Sequence, residues 1–350
     1  MSLIDADIRK AQTLPSRFYT DADLFAEIIS VFSSEWHFAA HRSQLSTVMP
    51  VDNALREPMI LTASDEVRCL SNVCTHRGML VCNSPDEKRL QCPYHGRTFG
   101  LDGTFRNMPE FDEVANFPSP SDDLPSFPLG EWKGLLFNSL SASGFDDFIS
   151  FVSKRMDFLS VDAFVHDASR HRSYQIDCNW ALYVENYLEG FHIPFVHADL
   201  HEVLDYSTYR TELFDRGVLQ VGIAKEDEAC FDLPDDHPDA GQRIAAYYFW
   251  LYPGLMLNFY PWGLSVNVVI PEAVDKTRIV YHGFVGNPDA LGKGAGGDLD
   301  KVEAEDQFIV ERVQKGVSST AYDRGRYSPS KETGPHHFHR MLAESVRREV

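Results

Sequence analysis

Cys74-Thr-His76 and, fifteen residues later, Cys92-Pro-Tyr-His95 offer two thiolates and two imidazoles from two short loops, one of each per loop. Such a set can hold a zinc ion, or a two-iron, two-sulfide cluster with both sulfurs on one iron and both imidazoles on the other. Zinc knuckles pair Cys with Cys and His with His, so one Cys and one His in each loop favours the cluster. Gly78, Gly96, Gly100 and Gly103 stand where backbone N–H groups would approach bridging sulfides. Cys69, Cys82, Cys178 and Cys230 lack a ligand-spaced partner and read as buried small hydrophobes.

A second constellation runs from Glu185-Asn186 through Glu189 and His192 to His197. Glu185, Glu189 and His192 are four and three residues apart, which puts them on one face of a helix. Five further residues would turn His197 off that face, but Pro194 disfavours helix at Ile193, so the chain can leave the helix and return a second imidazole to the first. Trp180, Tyr183, Tyr187, Phe191 and Phe195 surround these groups, and buried polar groups in such company need partners. Two imidazoles and one carboxylate make a metal site with open positions for O2 and substrate. Asp306 supplies the carboxylate: it lies within a helical stripe of Val302, Ile309 and Val313, where an ionised acid is costly unless it meets a cation. Glu303 and Glu305 read as its exposed neighbours.

The elements that must position these groups differ between the halves of the chain. Thr20 with Asp23 reads as a capping box, and Leu24, Phe25, Ile28, Ile29 and Phe32 form an amphipathic helix leading into the first domain. From Trp36 to about Leu140, short apolar runs at 67–70, 89–92 and 134–137 alternate with Gly, Pro, Asn and Asp, predicting a small all-β domain with 117–128 as an edge loop. The second half mixes a helix over 181–192, strands over 243–269 and 277–285, an ordered-to-mobile loop over 286–298 and a helix over 299–314. The class is α+β, with a lead-in at 1–35 and domains at 36–145 and 146–350. A net charge of −20 repels phosphate backbones and anionic lipid surfaces, so neither nucleic acid nor membrane is an expected partner. With no signal-like or membrane-length apolar run, a cytoplasmic location with reduced thiols is expected.

Together the two motifs resemble the Rieske-type non-haem iron oxygenases, the ring-hydroxylating oxygenase α subunits, over nearly the whole chain. The resemblance implies an N-terminal all-β Rieske [2Fe-2S] domain and a C-terminal helix-grip (START-like) antiparallel-sheet catalytic domain. It implies a cluster on Cys74, His76, Cys92 and His95, and mononuclear Fe(II) on His192, His197 and Asp306, with Asn186 near the open coordination positions. Glu189 takes the place of the family's bridging carboxylate, more often Asp, which joins a cluster histidine of one subunit (His95) to an iron-ligand histidine of the next (His192) in a homotrimer. Glu is also found there in the carnitine-oxygenase branch. Respiratory Rieske proteins carry a disulfide at the positions of Met79 and Tyr94, which this chain lacks. Arg97 replaces their hydroxyl residue, and fewer hydrogen bonds to the cluster favour its oxidised, low-potential form. The family commonly has Trp at Arg97, so the docking surface there is expected to be atypical. Electrons are expected from a separate NAD(P)H-dependent flavin and iron–sulfur reductase, directly or through a ferredoxin.

Residues 311–339, including Ala321-Tyr-Asp-Arg-Gly325 and His336-His-Phe-His339, resemble the choline monooxygenase-like group, whose members hydroxylate or demethylate quaternary amines and betaines. An aromatic cage would hold such a cation. Asn258, Tyr260 and Trp262 on one strand could face that pocket, or could equally be sheet core. The alternative is an aromatic-ring hydroxylating dioxygenase or an O-demethylase with an apolar pocket in the same place. His336, His337 and His339 read as structural or interface histidines because the iron triad is complete without them. A pure electron carrier would need only the first half of the chain, and a binding protein without chemistry would lack a ligand.

Overall fold

Short aliphatic runs become strands only where neighbours can take their backbone N–H and C=O groups. In the computed structural model, which describes residues 4–85 and 87–348, the segments sort into two units, 33–146 and 4–32 with 147–348. Unit 33–146 holds ten short strands in three antiparallel sheets. β1 (His37–His41) pairs with β10 (Leu135–Asn138), which pairs with β9 (Leu129–Trp132). β2 (Val48–Val51), β3 (Met59–Ala63), β4 (Val67–Ser71) and β8 (Ser126–Phe127) form the second sheet; β5 (Leu90–Gln91), β6 (Thr98–Phe99) and β7 (Phe105–Asn107) form the third. The last two sheets share a core in which Cys74 and Cys92 pack with Val48, Ile60, Leu70, Val81, Leu90 and Phe99, so the two loops are rooted in apolar packing.

Asp122 ties those loops together. Its carbonyl accepts from Thr75 Oγ1 at 2.8 Å and from Arg97 Nη2 at 3.1 Å, and its carboxylate pairs with Arg97 at 2.6 Å. Arg97 is no docking residue: it is 2% exposed, with its guanidinium 4.9–5.7 Å from the ring centroids of Phe99, Phe105 and Phe117. The acidic partner and aromatic faces offset the desolvation of its charge, and sequence position alone does not display them.

The other unit is built on a seven-stranded antiparallel sheet. β12 (Arg210–Phe214), β13 (Gly217–Ile223), β14 (Ile244–Leu251), β15 (Leu255–Tyr260), β16 (Gly263–Ala273) and β17 (Lys276–Val285) run as a meander, and β11 (Val165–Ile176) closes the far edge beside β17. The helices of eight residues or more among the described residues are α1 (Ala22–Ile29), α2 (Phe145–Arg155, in which the division between units falls), α3 (Trp180–Tyr187), α4 (Leu299–Val317) and α5 (Thr333–Arg348). α3 lies against β16, α4 and α5, giving the helix-on-sheet grip expected. α1 precedes the cluster-bearing unit in sequence but belongs with this one. Tyr19 OH donates to Glu185 Oε1 at 2.7 Å and Phe32 stacks edge-on against Trp180 at 5.0 Å. Its cap is Asp21 rather than Thr20, with the carboxylate accepting from the N–H groups of Asp23 and Leu24. Cys69, Cys82 and Cys178 are buried as expected, while Cys230 is half-buried. Among the described residues no helix is long and apolar enough to cross a membrane.

Arg97→Ala is expected to lower the stability of the cluster-bearing unit by about 2 kcal/mol, because Asp122 loses its charge partner and three rings lose a contact. Urea unfolding followed through the cluster's visible absorbance measures it.

Candidate active site and cluster site

α3 starts where Asn179 accepts from Ala181 N–H, and Asn179 N–H in turn donates to Gln314 Oε1 on α4 at 2.8 Å. The two helices are thereby held in register. α3 ends at Tyr187, five residues before the expected His192, so Glu185, Glu189 and His192 do not share a helical face. The reason is local competition: the Glu189 carboxylate accepts His192 N–H at 3.0 Å and pairs with His192 Nδ1 at 2.7 Å, drawing the chain out of the helix. Pro194 then sits in the first turn of a new helical segment, Ile193–Val196, where its missing N–H costs nothing. Its role is to start that turn rather than to end the preceding helix.

The result is convergence. His192 Nε2 and His197 Nε2 are 3.1 Å apart, and Asp306 Oδ1 is 3.1 Å from the latter and 3.6 Å from the former. Three ligand atoms with such edges occupy one face of an octahedron around an ion at about 2.1 Å, the ordinary first-row metal–imidazole bond. The surroundings fix both tautomers. Glu189 takes the Nδ1 side of His192, and Glu305 Oε2 lies 2.7 Å from His197 Nδ1, so each Nε2 is free to coordinate. Asn186 Nδ2 donates to Asp306 Oδ1 at 2.6 Å. Burial alone would lower the pKa of His197, but hydrogen bonds and charge from Asp306 and Glu305 outweigh it and raise the value. In the absence of a metal the site is short of positive charge, which is what a divalent cation supplies.

On α4 the buried side is Glu303, Val310, Gln314 and Val317, one residue out of phase with the stripe of Val302, Ile309 and Val313; Val313 is 41% exposed. Asp306 belongs to the true stripe, three residues after Glu303. Glu303 is therefore buried rather than exposed, and Glu305 is half-buried against His197.

In the other unit, Cys74 and Cys92 are each 2% exposed, and the rings of His76 and His95 lie 4.9 Å apart nearer the surface. The two loops are built alike. Gly78 N–H returns to Cys74 O at 3.0 Å and Gly96 N–H to Cys92 O at 3.1 Å, with both glycines at positive φ of 72° and 74°. Only glycine adopts that conformation without strain. Each loop brings one buried sulfur and one less buried imidazole, an arrangement suited to ligands divided between two irons.

A model of the ring hydroxylating alpha subunit catalytic domain matches residues 163–348, and a Rieske [2Fe-2S] domain model matches residues 35–118. This chain belongs to the Rieske ring-hydroxylating oxygenases. The carnitine monooxygenase oxygenase subunit of Escherichia coli is 30% identical over 97% of the chain and 95% of its own length. Choline monooxygenase of Beta vulgaris is 29% identical over 96% of the chain and 77% of its own length. A solved quaternary ammonium Rieske monooxygenase in complex with L-carnitine shares the fold at a TM-score of 0.81, 21% identity and 99% and 100% coverage. The oxygenase is an oxidoreductase with a Rieske [2Fe-2S] cluster and a mononuclear iron, acting on a small molecule with O2.

A cavity of about 110 Å³ opens beside the three converging residues. Asn258 and Tyr260 line it; Trp262 does not, but stacks behind Tyr260 at 5.4 Å and faces an adjoining cavity. Sequence reading missed most of the wall: Tyr183, Tyr187, Tyr209, Gln220, Tyr248 and Tyr281. Of these Tyr183 and Tyr187 carried a signal in their place beside the histidine motif, and Tyr248 in the aromatic run 247–262 that could supply a cage. The loop at 286–298 is folded over this side, with turns at Pro288–Ala290 and Gly294–Gly296 and with Ala295 on the cavity wall. Glu303 also lines it, and burial followed by the Asp306 charge pushes its carboxyl up to about 8. His336, His337 and His339 are structural: they contact Asp5 O, Phe214 O and Tyr327 OH at 2.8, 2.9 and 2.5 Å.

Glu305→Ala is expected to weaken Fe(II) binding by about 10–100-fold without changing the cluster spectrum, because His197 loses the partner that orients its ring. Titration of iron into chelator-treated protein measures it.

Proposed function

We propose that the oxygenase hydroxylates a carbon next to the nitrogen of a quaternary ammonium substrate, with electrons from a separate NAD(P)H-dependent flavin and iron–sulfur reductase. The observation that carries this reading is the wall of the cavity. Tyr183, Tyr187, Tyr209, Tyr248, Tyr260 and Tyr281 line it, and no Lys or Arg does among the described residues. Tyrosine rings stabilise a cation by their negative faces, more strongly where water is excluded. The alternative reading calls for an apolar pocket, and this wall also carries Gln220, Asn258, Asn267 and Glu303. The choline and carnitine monooxygenase relatives support the same choice.

In this reading His192, His197 and Asp306 hold the iron, and Cys74, His76, Cys92 and His95 hold the cluster. The iron supplies O2 activation and the cluster delivers single electrons. The chain's own contribution is orientation. Glu189 and Glu305 hold the two imidazoles with Nε2 toward the metal, and Asn186 fixes the Asp306 carboxylate. Tyrosine walls exclude bulk water from the reacting carbon. The balance is one C–H bond, O2, two electrons and two protons giving C–OH and water. A hydroxylated N-methyl group then breaks its C–N bond, releasing formaldehyde, the amine and a proton.

Glu189 is also the route by which an electron reaches His192 from the cluster histidine His95 of a neighbouring copy in a trimer. A solved relative is described in terms of inter-subunit electron transfer. Here Phe195, 82% exposed, and Phe191, 41% exposed, flank His192 with apolar surface for such a neighbour.

Reductase-coupled O2 consumption with choline, glycine betaine, carnitine and a set of aromatic acids, with products identified by mass, tests the substrate class. Coupled product is expected only from the quaternary amines, and coupled product only from the aromatics overturns the reading. Glu189→Ala is expected to weaken Fe(II) binding as Glu305→Ala does and to keep the cluster spectrum, but with Fe(II) restored in excess to lose turnover at least a hundredfold; single-turnover oxidation of the reduced cluster in the iron-loaded variant measures the electron step directly, and a normal rate removes the bridging role.

A further inference from the structure

The cavity contains a carboxylate with no assigned task. Glu303 is 6% exposed and reaches the cavity between Tyr183 and Tyr281. Its Oε2 accepts the hydroxyls of Tyr183, at 2.9 Å, and Tyr281, while its Oε1 accepts Gln307 Nε2 at 3.1 Å. These three donors orient the carboxylate, but none carries a charge. A buried carboxylate so placed is unfavourable as an anion until a cation joins it, and an amide would fill the same space without that penalty.

We propose that Glu303 is the anionic half of the substrate-recognition site, receiving the positive head of the ammonium substrate with the rings of Tyr183 and Tyr281 on either side. The inference rests on the quaternary ammonium reading above and adds the residue that reads the charge. A quaternary nitrogen has no N–H to donate, so it leaves the hydrogen bonds of Tyr183, Tyr281 and Gln307 to the carboxylate intact. A primary ammonium would compete for them.

Position on the helix follows from the same geometry. Glu303 and Asp306 are three residues apart on the buried side of α4, and residues so spaced have Cβ atoms about 5–6 Å from each other. A tetraalkylammonium head against Glu303 therefore presents the carbons bonded to nitrogen to the metal side of the cavity. The remainder of the substrate extends toward Asn258 and Tyr260. Oxidation next to nitrogen is then set by where the charge is held, not by the length of the rest of the molecule.

The test uses the iron- and cluster-loaded protein and three probes: choline, tetramethylammonium and 3,3-dimethylbutan-1-ol, the neutral carbon analogue of choline. Calorimetry on the parent is expected to show the two cations binding about a hundredfold tighter than the neutral analogue. Glu303→Gln, which keeps length and can still accept from tyrosine, is expected to lose about a hundredfold for the cations and less than about threefold for the analogue. Glu303→Asp, which keeps the charge, is expected to retain at least about a tenfold cation preference, and it serves as the reading if the glutamine variant loses iron. Equal losses for charged and neutral probes, or an unchanged cation preference in Glu303→Gln, overturn the role of Glu303 while leaving the substrate class standing. A parent enzyme that binds and oxidises no quaternary ammonium compound overturns both.

Discussion

One carboxylate oxygen, Asp306 Oδ1, has to sit 3.1 Å from His197 Nε2 and 3.6 Å from His192 Nε2 although more than a hundred residues separate it from them, and most of the catalytic unit serves that constraint. α4 carries Asp306, and its position is set by the hydrogen bond that Gln314 Oε1 accepts from Asn179 N–H at the start of α3 and the one that Gln314 Nε2 donates to Tyr19 O before α1. α3 carries Asn186, which grips Asp306 directly. Buried side-chain bonds of this kind contribute little net stability each, but losing one leaves a desolvated group that costs about 1–3 kcal/mol. They define one register between the helices and exclude its neighbours.

The two metal-binding regions meet the problem of buried charge differently. In the Rieske unit Cys74 and Cys92 are sunk in the core while His76 and His95 lie nearer the surface, so in the proposed ligand assignment the imidazole side of the cluster would face what docks outside. Asp122 braces both loops, and Arg97, shielded by aromatic rings, completes that brace. In the catalytic unit the acids Glu189 and Glu305 stand behind the imidazoles, orienting them and raising their basicity. A site so rich in carboxylates is complete only with a cation in it.

The same excess of negative charge extends outward. The chain carries a formal charge of −20, a field that raises the local concentration of cations and lowers that of anions. Inside the cavity the polarity is finer: tyrosine faces, a few amides and one extra carboxylate, Glu303. Long-range attraction and short-range recognition thus point to the same sign of substrate.

Much of this was legible in the sequence because ligand chemistry is local. Two Cys–His loops, the Glu189–His192–His197 run and an acid on a C-terminal helix are all contained in short windows, and their residue types admit few other tasks. The α+β class likewise followed from periodicity. What only the tertiary structure decided depends on partners far away in the chain. α3 stops at Tyr187 because Glu189 bonds to His192 rather than continuing the helix. The phase of α4, which buries Glu303 and turns Glu305 onto His197, is set by what α3 and the sheet present to it. Arg97 is buried because Asp122 and three phenylalanines meet it there. The tyrosines of the cavity come from α3, β14, β15, β17 and the segment before β12, and no window of sequence contains them. Spacing determines which side chains can share a face; packing determines which face is turned inward.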